Sequence, residues 1–170
     1  GTATVFPQAI GLAAIFDEDF HEMVASVIST EARAKYNGQS AHGDRDIYKG
    51  LSMWSPNINI FRDPRWGRGH ETYGEDPYLT SRLGVRFIKG LQGNGKYLKV
   101  AACAKHFAVH SGPEAIRHSF DAVANPKDMN ETYLPAFEAA VKEAKVESVM
   151  GAYNRVNGEP ACGSKTLLVD

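Results

Sequence analysis

The chain has 170 residues, 43% hydrophobic and 23% charged, the balance of an ordinary globular domain. Its 19 Lys and Arg against 20 Asp and Glu leave a formal net charge of −1, which gives no electrostatic basis for nucleic acid or an anionic membrane as partner. No apolar run approaches the ~18 residues of a bilayer-spanning helix and no basic, apolar, small-residue leader opens the chain; the compartment stays open, with secretion or a periplasmic location compatible.

Val5-Phe6-Pro7 reads as the exit of a first strand. The clearest helix runs from Asp17 to about Asn37. Asp17 can cap it, Glu18 and Asp19 suit its positive end, and Phe20, Val24, Val27 and Ile28 form an apolar face. Asn37-Gly38 tolerates the left-handed conformation and is expected to end it. Gln39 to Asp46 is rich in turn formers and reads as a surface loop. Met53 to Phe61 reads as a second strand, followed by a dense polar loop from Arg62 to Asp76. Asp76-Pro77 is a strong helix start, with a buried stripe of Leu79, Leu83, Phe87, Ile88 and Leu91. Gly90 to Lys96 closes that helix. It lacks a Ser or Thr after Lys96 and does not follow a strand, so it is not a phosphate loop.

Val100 to Phe107 is the third strand, apolar until Lys105 and His106. A long loop, Ala108 to Ala124, leads to a helix starting at Asn125-Pro126, with a break expected at Pro135 because proline removes a donor and clashes with the preceding turn. The piece from Pro135 to Ala144 should bury Phe137, Ala140 and Val141. Val146 to Tyr153 is a fourth strand and Asn157-Gly158 a turn. Cys103 and Cys162 fit no metal or redox spacing and read as small buried residues. Asn130-Glu131-Thr132 is a glycosylation sequon, discounted because it falls in a predicted helix.

Strands alternating with helices predict an α/β fold, a parallel sheet with helices outside. A complete eight-unit (β/α) barrel takes roughly 250 residues, so residues 1–170 are expected to form part of a TIM-like barrel, the remainder of the chain being needed to complete it. The polar residues gather just after the strands: Arg62 to Asp76, Lys105 to His110 and Tyr153 to Arg155. In such a barrel those loops open on one face, where ligands bind. A site lined by Arg, Lys, His, Tyr and Trp can hold a neutral polyhydroxyl molecule through charged donors and an aromatic face.

Arg62-Asp63-Pro64-Arg65-Trp66-Gly67-Arg68, continuing through Glu71-Thr72-Tyr73-Gly74-Glu75-Asp76-Pro77, resembles the long signature loop of glycoside hydrolase family 3. Lys105-His106-Phe107 resembles that family's Lys-His pair, and Val149-Met150-Gly151-Ala152-Tyr153-Asn154 its later tyrosine segment. The resemblance implies a retaining, exo-acting hydrolase that removes terminal β-linked sugars, of β-xylosidase or β-glucosidase type, from oligosaccharide or aryl β-glycoside substrates without a cofactor. It implies that Arg68, Lys105 and His106 hydrogen-bond the sugar, that Tyr153 sits beside the reacting carbon, and that the Lys105–His106 peptide is cis. The loop Ser111-Gly112-Pro113-Glu114 with Arg117-His118 looks more like the xylosidase or arabinosidase branch.

Retaining chemistry needs two carboxyl groups about 5–5.5 Å apart. In the resembling family the nucleophile follows the tyrosine segment in a Ser-Asp motif, the acid/base comes later, and a sugar-binding aspartate lies upstream of Thr4. None of these lies within the chain, so the 170 residues alone are expected to hold a sugar and not to cut it. A non-catalytic carbohydrate-binding protein on the same scaffold is the alternative, and an unrelated barrel enzyme a third reading.

Plainer roles compete for several side chains. Arg65 is expected to brace the loop by pairing with an acid, Asp76 to cap a helix, Glu71 and Glu75 to partner arginines or amides, and Trp66 to pack the loop. His106 and His110 have an i, i+4 spacing, but along an extended strand they would lie ~13 Å apart, so no metal is expected. Arg117 to Asp121 reads either as a rim that selects the sugar or as loop packing. His42, His70 and His118 stand alone.

Overall fold

The computed structural model describes residues 2–170. Its elements are α1 (Ala9–Ala13), α2 (Glu18–Ser40), β1 (Ser52–Met53), α3 (Pro77–Gln92), β2 (Ala101–Phe107), β3 (Asp121–Ala122), α4 (Pro126–Asp128), α5 (Pro135–Lys142), β4 (Ser148–Gly151), β5 (Arg155–Val156), β6 (Glu159–Pro160) and α6 (Lys165–Leu168). Strands β1, β2 and β4 form a parallel sheet in that order, with β2 central. A smaller sheet pairs β5 in parallel with β3 and antiparallel with β6. The fold is therefore α/β, parallel strands backed by helices, and makes up part of a barrel.

Caps appear where the sequence places them. Asp17 accepts from Phe20 N at 2.9 Å and Asp76 from Leu79 N at 2.6 Å, each satisfying an orphan amide of the first turn. The α3 stripe supplies the middle of the core. Leu83, Ile88 and Leu91 are buried with Val85, and they pack with Val100, Ala102 and Ala104 around β2 and with Phe137 and Ala140 of α5. Helices α2 and α3 cross closely at Gly90, where a Cβ would lie 2.3 Å from Glu22 O and 2.7 Å from Ala25 Cβ. No side chain fits there.

Several expectations are corrected. Residues 2–8 join no sheet; Thr4 N instead donates to Glu31 Oε2 at 2.9 Å, and Val5 is exposed. Helix α2 passes through Asn37-Gly38 and ends at Ser40, because the intrahelical ladder continues to Ala41 N, which donates to Asn37 O. Its buried face is His21, Val24, Ala25 and Ser29, with Val27 turned outward. The imidazole is tolerated inside because its Nδ1 meets Asp17 O at 3.1 Å.

The second strand is broken. Only Ser52–Met53 pair regularly with β2, the peptide Ser55–Pro56 is cis, and pairing resumes at Asn57, which bridges Lys105. Proline has no amide to give, so the segment contributes carbonyls: Cys103 N donates to Ser55 O and Lys105 N to Pro56 O. The break before Pro135 takes the form of five π-helical residues, Met129–Tyr133, with Leu134 N donating to Met129 O. Val141 is exposed, whereas Phe137 and Ala140 are buried as expected. Cys103 is buried but Cys162 is not; its sulfur sits beside Gly151, where a Cβ would come within 2.6 Å of it. No described helix is long and apolar enough to cross a membrane.

Candidate functional site

Arg68, Lys105, His106 and Tyr153 come from three segments and meet at the C-terminal end of the parallel strands. Lys105 and His106 close β2, Tyr153 lies two residues beyond β4, and Arg68 sits in the loop after the segment that bridges Lys105. The loop is folded by its own polar groups. Asp63 takes Arg65 Nη2 at 2.6 Å, the bracing role expected of Arg65, and Thr72 Oγ1 donates to Gly69 O at 2.7 Å. A Cβ at Gly69 would fall 2.3 Å from the Phe61 ring, so only glycine lets the loop close onto that ring. Trp66 is buried, edge-on to Phe61 and to His110, which is the packing role expected of it.

All three side-chain nitrogens of Arg68 donate. Nε and Nη2 donate to the two oxygens of Glu71 at 2.8 and 2.7 Å, and Nη1 donates to His106 Nε2 at 3.1 Å. The planar guanidinium fork makes this possible; a point charge could not hold both partners. The shared bonds hold the Glu71 carboxyl below its usual range and raise Arg68.

Sequence reasoning missed the residue that orients His106. Asn59, only 2% exposed, donates through Nδ2 to His106 O at 2.8 Å and Ala108 O at 3.1 Å. Those carbonyls fix which end of the amide is oxygen. Oδ1 therefore accepts from His106 N at 2.8 Å and from His106 Nδ1 at 3.0 Å. The proton of the imidazole sits on Nδ1, and Nε2 is left as an acceptor. The Lys105–His106 peptide is cis, as the resemblance implied, and so is Phe107–Ala108.

His110 repeats the arrangement with Asn154. The Asn154 amide donates to Val109 O and Arg155 O, each at 2.8 Å, so its Oδ1 takes the proton on His110 Nδ1 at 2.9 Å. His110 was expected far from His106, yet the ring centroids are 4.5 Å apart. The strand does not stay extended: its register shifts between Lys105 and Phe107. Both Nδ1 atoms are occupied and Arg68 covers His106 Nε2; among the described residues no cluster of three or more His, Cys, Asp or Glu is placed to hold a metal. Tyr153 meets His110 edge-on at 6.1 Å and lies close enough to Arg68 to bear on its charge. Among the described residues Lys105 Nζ makes no hydrogen bond; burial first, and then the Arg68 charge, lower its pKa.

Burial, with cationic neighbours second, pushes His106 down to about 2, and burial also lowers His110 and His21. A histidine near 6.5 when unfolded and near 2 when folded costs nothing above pH 6.5. Below it the unfolded chain takes up the proton and the folded chain does not, so stability falls with pH. For His106 alone the loss is about 2 kcal/mol at pH 5, and the other two add in the same sense. Urea-unfolding midpoints should drop between pH 7.5 and 5; a flat profile would contradict neutral imidazoles.

The arrangement is a set of donors and two neutral imidazole acceptors beside an aromatic ring, suited to hydroxyl groups. The family model described as glycosyl hydrolase family 3 N terminal domain matches residues 1–170. The chain is 52% identical to a xylan 1,4-β-xylosidase of Xylanibacter ruminicola over 99% of its length, and 47% identical to β-D-xylosidase 3 of Arabidopsis thaliana over 98%. It spans about a fifth of those curated relatives, 20% and 21% of their lengths. Among solved structures, an exo-β-xylosidase in complex with a xylobiose aziridine activity-based probe superposes with a TM-score of 0.88, 39% identical, covering 98% of this chain and 21% of that one. A β-glucosidase from Kluyveromyces marxianus in complex with glucose gives 0.83, 36% identical, over 97% of this chain and 18% of that one. The chain belongs to glycosyl hydrolase family 3, matching the N-terminal domain of that family.

Proposed function

We propose that this chain forms one wall of the sugar pocket of a retaining exo-β-glycosidase, and that the full-length protein carrying it hydrolyses terminal β-linked sugars. The convergence of Arg68, Lys105, His106 and Tyr153 at one end of the sheet carries this reading. Lys105 offers ammonium protons, His106 Nε2 an acceptor that Arg68 now occupies, and Tyr153 an aromatic face. A sugar hydroxyl both donates and accepts, so it can enter between the Arg68 donor and the His106 acceptor.

In the reaction, one carboxylate from the rest of the protein attacks the anomeric carbon while a protonated one gives its proton to the leaving oxygen. Water then cleaves the glycosyl ester with retention. The residues here hold and orient the ring for that attack. Relatives named as β-xylosidases support a pentose substrate.

Purified full-length protein should release nitrophenol from nitrophenyl β-xyloside, with the β-anomer of xylose appearing first by proton NMR. The 170-residue chain alone should not, since loss of a nucleophile costs on the order of 10⁴–10⁶ in rate. Xylose binding by the full-length protein without any turnover would instead establish a non-catalytic sugar-binding protein.

A further inference from the structure

One stretch of chain carries the second imidazole of the site, and it is pinned at nearly every residue. Ala108, Val109, His110 and Ser111 are all buried. Ala108 O accepts from Asn59 Nδ2, and Val109 O from Asn154 Nδ2. The pin at the far end is Arg62, whose Nε donates to Ser111 Oγ at 2.9 Å. Among the described residues that hydroxyl has no other hydrogen-bond partner. Asn59 and Arg62 belong to one segment, so the same run of chain grips the stretch at both ends.

Two rings aim the Arg62 side chain. Its guanidinium carbon lies 5.5 Å from the centre of the Tyr133 ring and 6.0 Å from that of Phe120. Each ring is fixed from elsewhere. Tyr133 closes the π-helical turn, and both rings pack on the small cluster of Ala108, Val109, Ala122 and Val156. Phe120 also lies where a Cβ at Gly112 would meet it at 2.6 Å, and its carbonyl accepts from Arg155 N at the start of β5. A flat cation with delocalised charge can face both rings and still present Nε to Ser111. An ammonium cannot hold all three partners.

We propose that Arg62 is a positioning residue for glycoside hydrolysis: by holding Ser111 it sets the place of His110, and through that ring the places of His106 and Tyr153. His110 stands 4.5 Å from His106 and edge-on to Tyr153, so a shift of Ser111 passes to both. The proposal rests on the reading of Arg68, Lys105, His106 and Tyr153 as holders of the terminal sugar. Among the described residues Arg62 makes no hydrogen bond to any of those four, so it acts at one remove. A brace that served stability alone would leave turnover by the folded protein unchanged.

The test is a double-mutant cycle in the full-length protein: Arg62→Lys, Ser111→Ala and the two combined, with kcat and KM on nitrophenyl β-xyloside and Tm measured for each. Both single changes break the same bond. Arg62→Lys should lower kcat about tenfold, because a ring held slightly off its reactive geometry reacts more slowly even when bound. Ser111→Ala should lower it about threefold or more, the smaller loss because the rings still hold the guanidinium. The combined variant should be no slower than Arg62→Lys alone, since one bond cannot be lost twice. Losses that multiply in the combined variant overturn the proposal, and so does an unchanged kcat, with or without a fall in Tm. If Arg62→Lys does not fold, Ser111→Ala decides by the same loss of kcat. A wild-type protein without turnover overturns the underlying reading of the site instead, and xylose affinity across the same cycle then judges Arg62.

Discussion

Asn59→Leu is expected to destabilise the protein by about 3–5 kcal/mol and to abolish the ordering of His106. The leucine fills the same space, but it removes partners for two donors, His106 N and Nδ1, and for two acceptors, His106 O and Ala108 O. Each buried polar group left unpaired costs about 1–3 kcal/mol, some of it recovered by local relaxation. Denaturant midpoints at pH 7.5 measure the loss.

Asn59→Asp separates hydrogen bonding from size. A carboxylate faces the His106 and Ala108 carbonyls with an acceptor where a donor stood, and it favours a doubly protonated imidazole. The imidazolium would then present a proton to Arg68 Nη1, itself a donor. Nitrogen-15 shifts of the His106 ring should move from the Nδ1-protonated neutral form toward the cation, and stability should fall. A variant as stable as wild type with an unchanged ring spectrum would refute the assigned tautomer.

Arg68→Lys in the full-length protein should lower kcat/KM on nitrophenyl β-xyloside by about 10²-fold, the scale of loss when a substrate is held about an ångström out of place. Arg68 spends three nitrogens at once, two on Glu71 and one on His106. An ammonium on a flexible four-carbon stem cannot satisfy both directions. Lysine therefore leaves either the Glu71 carboxylate or the His106 acceptor without its partner, while the net charge is unchanged. Steady-state kinetics should show the loss in kcat as well as in KM, because a ring held off its reactive geometry reacts more slowly even when bound. A change of less than about threefold would mean that charge alone, and not the fork, is what the site uses.

Much of this was legible in the residues. The Asp-Pro start of α3, its apolar stripe and the small, apolar β2 follow local rules, so Asp76, Leu83 and Ala104 did what their spacing predicts. The signature loop announced itself by density, with Arg65 pairing Asp63 and Arg68 pairing Glu71 over two and three residues. What escaped was non-local. Asn57-Ile58-Asn59-Ile60 looks like an alternating strand with one wet face, yet all four residues are buried. A polar face at alternate positions normally points to solvent, and only the presence of a neighbouring strand end reveals that these amides serve it instead. A run of two asparagines in such an alternation was the available signal.

The sequence by itself determined the α/β class, the caps and length of α3, and which loops carry the polar groups, because these depend on periodicity and on bonds spanning a few residues. Only the tertiary structure decided that His110 folds back to 4.5 Å from His106, that Asn59 and Asn154 set the tautomers of those rings, and that Arg117 stands over Tyr153. The asparagine and arginine contacts join residues 36 to 47 positions apart. Hydrogen bonds at that separation form where β2, β4 and their loops come to lie side by side, a consequence of how the whole sheet packs and not of any local spacing.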